Sequence, residues 1–330
     1  MDAAVESFVK AIPKTETHLH LEGALPYRVL HEHDPDRFPA DPDFRQPGFR
    51  HPDFVHFEET LGRHSLRWFT TVQRYHEGAK HTFAELAAQN VRYVETSVHL
   101  GMIEWFGFDP DAWIDAIKSA APPGLEVRVI GGVARDSYTS AMKPFIDRLH
   151  RWDAIDGIDL HGREWLALGD WVPRVWRRCR DAGKIIKAHA GEFGGPEKVR
   201  EAIDVLGAER IQHGVRAIED PALVERIARL GLVLDVCPIS NERLQVVPNL
   251  ETHCIGRLAD AGVVCTINTD DPLVFANTLE QEYLSLANRL GFSITALAEL
   301  AKNGFRTARM GARDDFIAEI DRLVTAYSPR

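Results

Sequence analysis

The stretch Lys184-Ile185-Ile186-Lys187-Ala188-His189-Ala190-Gly191-Glu192 is an apolar run of strand length that ends on a histidine, a glycine and an acid. The following segments repeat that plan. Pro196 opens a helix whose apolar positions Val199, Ile203 and Leu206 share one face, and Gly207 ends it. Arg210-Ile211-Gln212 forms a second strand ending at His213. Asp220 caps a helix that starts at Pro221 and closes at Gly231. Leu232 to Val236 leads to Cys237-Pro238-Ile239-Ser240-Asn241, and Val263 to Asn268 leads to Thr269-Asp270-Asp271. Short strands apolar on both faces, alternating with helices, indicate a parallel sheet in the α/β class. The chemically capable residues all follow the C-terminal end of a strand. An open doubly wound sheet gathers such residues at one switch point. Here four successive strand ends carry them, which predicts a closed (β/α)8 TIM barrel with its site at that mouth.

The first half supplies the remaining strands. Thr15-Glu16-Thr17 leads into His18, and residues 91–97, 126–132 and 155–160 are further strands, making eight. Residues 31–57 lack periodicity and are rich in His, Asp, Pro, Arg and Phe. They are expected to be an insertion after the first strand, either a lid or a surface excursion. Residues 279–330 read as C-terminal helices that cover the barrel and carry no chemistry. The whole chain, 1–330, is expected to be one domain.

Composition narrows the function. Of the 330 residues 45% are hydrophobic, enough for a large core without staples. The net charge of −10 argues against a nucleic-acid partner. Cys179, Cys237, Cys254 and Cys265 show no metal spacing and no disulfide framework, which suits a reducing cytoplasm. The acidic start Met1-Asp2-Ala3-Ala4 does not look like a leader, and no apolar run reaches the length of a membrane span.

Four strand ends carry the chemistry. His18 and His20, two residues apart on a strand, point to the same side. His189 is followed by Glu192, His213 by a glycine, and Asp270 by a second acid, Asp271. Adjacent acids at a buried strand end need a cation or a donor to hold them. Three histidines and one aspartate make a nitrogen-and-oxygen set suited to zinc, and the absence of cysteine ligands suits a catalytic site.

The segment Pro13-Lys14-Thr15-Glu16-Thr17-His18-Leu19-His20-Leu21-Glu22-Gly23-Ala24-Leu25 resembles the opening motif of the adenosine and adenine deaminase family. His189-Ala190-Gly191-Glu192, Gln212-His213-Gly214, Cys237-Pro238-Ile239-Ser240-Asn241 and Asn268-Thr269-Asp270-Asp271-Pro272 match its later motifs in order, from about residue 13 to 310. The resemblance implies a (β/α)8 barrel, one Zn2+ per chain, and hydrolytic removal of the 6-amino group of a small-molecule 6-aminopurine. It implies that His18, His20, His189 and Asp270 hold the zinc. Glu192 would protonate purine N1, His213 and Asp270 would orient the attacking water, Asp271 would pair with N7, and the Gly162 N–H with N3. His20 and Glu22 would face the substrate, and Ser240 and Asn241 would support the site.

Two departures bear on the substrate. Glu22 stands where adenosine deaminases carry Asp, and looks more like adenine and aminodeoxyfutalosine deaminases. Arg163 follows Gly162 where the family often has an acid. Adenosine-type nucleosides, free adenine, and a 9-substituted adenine nucleoside such as aminodeoxyfutalosine all stay open. Arg37, Arg45 and Arg50 in the insertion are candidates to read an acidic tail. His99 is expected to be a surface loop residue. Lys187, one layer below His189, is expected to pair with Glu95 or Asp159. Two other classes stand beside this reading: a binuclear-metal amidohydrolase, and a binding protein that keeps the fold without activity.

Overall fold

The computed structural model describes residues 2–327. Eight strands, β1 (Lys14–His20), β2 (Val91–His99), β3 (Glu126–Ala134), β4 (Gly157–His161), β5 (Ile185–Ala190), β6 (Arg210–His213), β7 (Val233–Val236) and β8 (Val264–Ile267), lie in sequence order, each parallel to the next. Helices between them cover the outside, giving the (β/α)8 barrel. The strands are nearly wholly buried, since helices cover their outer faces and side chains fill the barrel within.

The circle closes between β1 and the loop after β8. Leu19 bridges Asp270; the Asp270 N–H donates to His18 O (3.0 Å), and the His20 N–H donates to Asp270 O (3.1 Å). One residue pair lower, the side chain of Asn268 substitutes for a strand carbonyl, its Oδ1 accepting from Thr17 N at 2.7 Å.

Below the mouth the barrel interior is charged. Lys187 Nζ lies 2.6 Å from Glu95 Oε2, so Glu95 rather than Asp159 is its partner. Arg210 Nε donates to Asp235 Oδ2 at 2.9 Å, and Tyr93 donates to Glu95 Oε1 at 2.8 Å. All five are buried. Two cations face two anions, so the layer is neutral overall while each charge keeps a partner.

Residues 34–53 hold one short 3-10 turn, Asp43–Arg45, but the ends of the expected insertion are helical: residues 31–33 finish the helix Tyr27–His33, and residues 54–57 begin Phe54–Trp68. Asp53 caps the second helix, accepting from His56 N at 2.8 Å. The intervening chain is tied to the loops after β7 and β8. His51 N donates to Arg243 O (2.9 Å), Arg243 donates to Gln46 O (2.7 Å) and Phe49 O (2.8 Å), and Arg45 donates to Pro272 O (3.0 Å).

The C-terminal region is helical as expected: Leu279–Leu290, Ile294–Thr307 and Arg313–Tyr327. A Cβ at Gly304 would stand 1.9 Å from Thr15 Oγ1, so the second of these helices reaches β1 only because glycine has none. The first sends the buried Glu282 inward to accept from Ile239 N at 3.1 Å, bracing the loop after β7. No described helix is long and apolar enough to cross a membrane.

The charged layer makes a quantitative prediction. Glu95→Gln strands the Lys187 ammonium and should lower unfolding free energy by about 3–5 kcal/mol in urea titrations, whereas the double replacement Glu95→Leu with Lys187→Met should cost much less.

Candidate metal centre and its pocket

β1 delivers His18 and His20 to the barrel axis from alternate positions, β5 delivers His189, and the loop after β8 delivers Asp270. The four meet. His18 Nε2 lies 3.1 Å from His189 Nε2, and His20 Nε2 lies 3.2 Å from the same atom. Asp270 Oδ1 lies 3.4 Å from His18 Nε2 and 3.3 Å from His20 Nε2. Zinc with tetrahedral bonds of about 2.0–2.1 Å separates its ligands by about 3.3 Å, and these four separations match that spacing.

Protonation makes the case chemical. His18 Nδ1 lies 2.9 Å from Asp235 O, which can only accept, so Nδ1 carries the proton and Nε2 a lone pair. His189 Nδ1 lies 3.0 Å from Asp159 Oδ2, and the carboxylate holds its proton on that side too. Two imidazole lone pairs therefore face each other, with a carboxylate beside them, in a buried space. A metal cation would relieve that repulsion. The partners behind each ring are those that usually orient a metal-binding histidine.

His213 also comes near: its ring atom and those of His18, His189 and Asp270 lie within 4.8 Å of one another. Its Nε2 is nevertheless 3.8 Å from Asp270, on the Oδ2 side, and 3.4 Å from Glu192 Oε1. His20 Nε2 lies nearer to an Asp270 oxygen than His213 Nε2 does, 3.3 against 3.8 Å, so both rings stand beside the cluster and His20 has the shorter contact. Ser240 Oγ donates to Asp270 Oδ2 at 2.7 Å, and the Asn241 amide meets His213 Nδ1 at 3.1 Å. His213 and Asp270 both have left-handed backbone, φ 62° and 66°. Non-glycine residues hold that conformation at a cost of about 1–3 kcal/mol, typically where a site demands it.

Glu192 and Asp271 face the same space, each buried with one carboxyl oxygen unpartnered, Glu192 Oε1 and Asp271 Oδ1. Burial first, then the neighbouring carboxylate of Asp270, pushes both well above the usual carboxylate range. A Cβ on Gly23 would stand 1.6 Å from Asp271 Oδ1, so the glycine of the first motif is the socket for the acid of the last. Gly162, at φ 82°, lines the cavity. Glu22 also lines it, accepting from Tyr75 Oη (2.7 Å) and from His99 N (3.1 Å). Burial raises the Glu22 pKa, against the opposing pull of the Tyr75 hydrogen bond.

The cavity has a volume of about 360 Å³ and opens from the metal cluster toward the helix Phe54–Trp68, where Phe57, Leu61 and Leu66 form one wall and Met102 and Trp105 another. At its edge Arg163 Nη2 pairs with Glu58 Oε2 at 2.8 Å. His99 lies inside this cavity, with Nδ1 3.1 Å from His161 Nε2, rather than on the surface. Burial lowers its pKa to about 4. The insertion arginines do not reach the cavity. Arg45 is spent on backbone carbonyls and over the Tyr27 ring, Arg50 donates to Pro248 O, and Arg37 is exposed.

One functional residue had no sequence signal beyond its place three residues after His161. Glu164, buried, accepts from the N–H groups of Gly191, Phe193 (2.8 Å) and Gly194 (2.8 Å), with Glu192 N at 3.2 Å. One carboxylate thus holds the entire loop that carries Glu192.

The fold and this cluster define a barrel enzyme that works at a metal centre. The adenosine deaminase family model matches residues 13–322, and the chain belongs to that family. It is 33% identical to an adenine deaminase of Streptomyces coelicolor over 96% of each chain, and 32% identical to an aminodeoxyfutalosine deaminase of Streptomyces avermitilis over 98% of this chain and 94% of that one. An amidohydrolase of Burkholderia ambifaria crystallised with bound zinc superposes with a TM-score of 0.84 at 25% identity, over 99% of this chain and 95% of the other.

Glu164→Ala should release the Glu192 loop. A displacement of about 1 Å there should lower kcat on the order of 100-fold. Metal content by atomic absorption should stay at the wild-type value.

Proposed function

We propose that this chain is a hydrolase that removes the 6-amino group of an N9-substituted 6-aminopurine, using one zinc per chain held by His18, His20, His189 and Asp270. The observation that carries the reading is the convergence of His18, His20 and His189 on Asp270, with the buried acid Glu192, its pKa raised by burial, across the same cavity. Zinc there would lower the pKa of a water to about 7, making it a nucleophile at neutral pH.

The chain's residues do the rest. Glu192 donates its proton to purine N1, which draws electron density from C6 and opens that carbon to attack. Asp270 Oδ2 and His213 Nε2 flank the water, fixing the face from which it adds. Asp271, itself protonated, donates to N7, an acceptor. The Gly162 N–H binds N3. Asp270 accepts the proton that the water loses on adding to C6 and passes it to the amino group, which leaves as ammonia; the proton of the new hydroxyl returns to Glu192, and the 6-oxo purine remains.

The cavity favours a substituent on N9. Phe57, Leu61, Leu66, Met102 and Trp105 line the cavity of about 360 Å³ with apolar surface, and Trp105 is 57% exposed at the rim, which supports a substituent there. A free base would leave that wall wet. Arg163 at the edge is the residue to meet an acidic tail, replacing the insertion arginines in that part. The helix Phe54–Trp68 and the segment before it serve as the cover of the site. Free adenine is the second reading, favoured by Glu22 and by the Streptomyces coelicolor relative.

A screen for ammonia release with zinc-loaded protein decides between them. Turnover should be faster with 9-substituted adenines than with adenine; the reverse order would defeat the substrate assignment. Zinc analysis should give one ion per chain, and two tightly bound ions would favour a binuclear hydrolase instead. Glu192→Gln should keep its zinc and lose about 10²–10⁴-fold in kcat. Because the acid must carry its proton to act and its pKa is raised, wild-type activity should persist well above the usual carboxylate range and fall as pH rises through the Glu192 pKa.

A further inference from the structure

We propose that His253 is a positioning residue that, through Asn241, dictates which nitrogen of His213 carries the proton. The inference rests on the reading of His213 as part of the reacting site.

A chain of hydrogen bonds with a fixed direction connects the three. It begins at the backbone N–H of Ile255, which can only donate, and which meets His253 Nδ1 at 3.1 Å. That nitrogen therefore presents a lone pair. His253 is 4% exposed, and burial pushes its pKa down to about 4, so at neutral pH the ring is uncharged and its single proton sits on Nε2. Nε2 faces Asn241 Oδ1 at 3.1 Å. With its oxygen thus committed as an acceptor, the fully buried Asn241 must turn its NH2 toward His213, and Nδ2 lies 3.1 Å from His213 Nδ1. His213 Nδ1 accepts, which leaves the proton on Nε2.

The consequence is felt where Nε2 points. Glu192 Oε1 stands 3.4 Å away and Asp270 Oδ2 3.8 Å away. An N–H there faces both oxygens and would donate to a water placed between them. The opposite tautomer would put a lone pair against the Asp270 carboxylate. His213 is therefore a donor at the site and not a base, and the information that makes it one enters 40 residues downstream, outside every motif.

Two replacements separate this role from simple packing. His253→Leu removes the donor to Asn241 Oδ1 and frees the amide to turn over. His253→Gln keeps an N–H near the position of Nε2. His253→Leu should lower kcat about 100-fold, the usual scale for one donor at a reacting oxygen, with KM within about twofold and zinc content unchanged. His253→Gln should recover at least tenfold of that loss. Asn241→Asp, which offers acceptors to both rings, should reproduce the loss if His253→Leu does not fold.

The direct readout is 15N NMR of the imidazoles, with His213 assigned by comparison with His213→Asn. Wild-type protein should show His213 protonated on Nε2, and the Leu and Asp variants should show it on Nδ1. This measurement needs no substrate, so it tests the relay even if the deaminase reading fails. Wild-type His213 protonated on Nδ1, an unchanged kcat in His253→Leu or Asn241→Asp, or equal impairment in His253→Gln and His253→Leu would overturn the proposal.

Discussion

Two backbone hydrogen bonds, from Asp270 N to His18 O and from His20 N to Asp270 O, join the loop after the last strand to the first strand. They close the barrel, and in the same stroke they set His18, His20 and Asp270, three of the four side chains proposed to hold the metal, at fixed distances. Closure and site geometry are one constraint. The left-handed backbone of Asp270 belongs to it: that φ lets the residue bridge β1 with its main chain while its carboxylate turns to the imidazoles. The Asn268 amide and the Gly23 socket for Asp271 reinforce the same seam.

Beneath the seam, the barrel is built to tolerate charge. Asp235 is bound by Arg210 through its side chain and accepts from His18 through its carbonyl, so the neutral layer of Lys187, Glu95, Arg210 and Asp235 also aims a ligand. Above it, carboxyls that share no counterion are pushed toward their protonated forms.

Much of this was legible in the sequence, for a physical reason. Parallel barrel strands are short and apolar, and they end on the residues that do chemistry, so His18, His20, His189, His213 and Asp270 announced both the strand ends and the cluster. Lys187 was readable because a buried ammonium demands an acid. The helix Phe54–Trp68 was half missed because its buried face includes Thr60, His64 and Ser65, which blur the apolar period. Glu164 and His253 act through backbone N–H groups and an amide, contacts that leave no spacing to detect. His99 looked like a loop residue since nothing in the chain says that β2 and β4 bring it against His161.

The seam also orders events in time. Thr17 and its acceptor Asn268 are 251 positions apart. A ribosome adding about 5–20 residues per second would need about 10–50 s to cover that distance. Throughout that interval β1 has emerged with its two histidines and Glu16, but the strand that closes on them has not been made. The nascent chain therefore carries an open sheet edge, and the cluster of His18, His20, His189 and Asp270 can form only once Asp270 has been made.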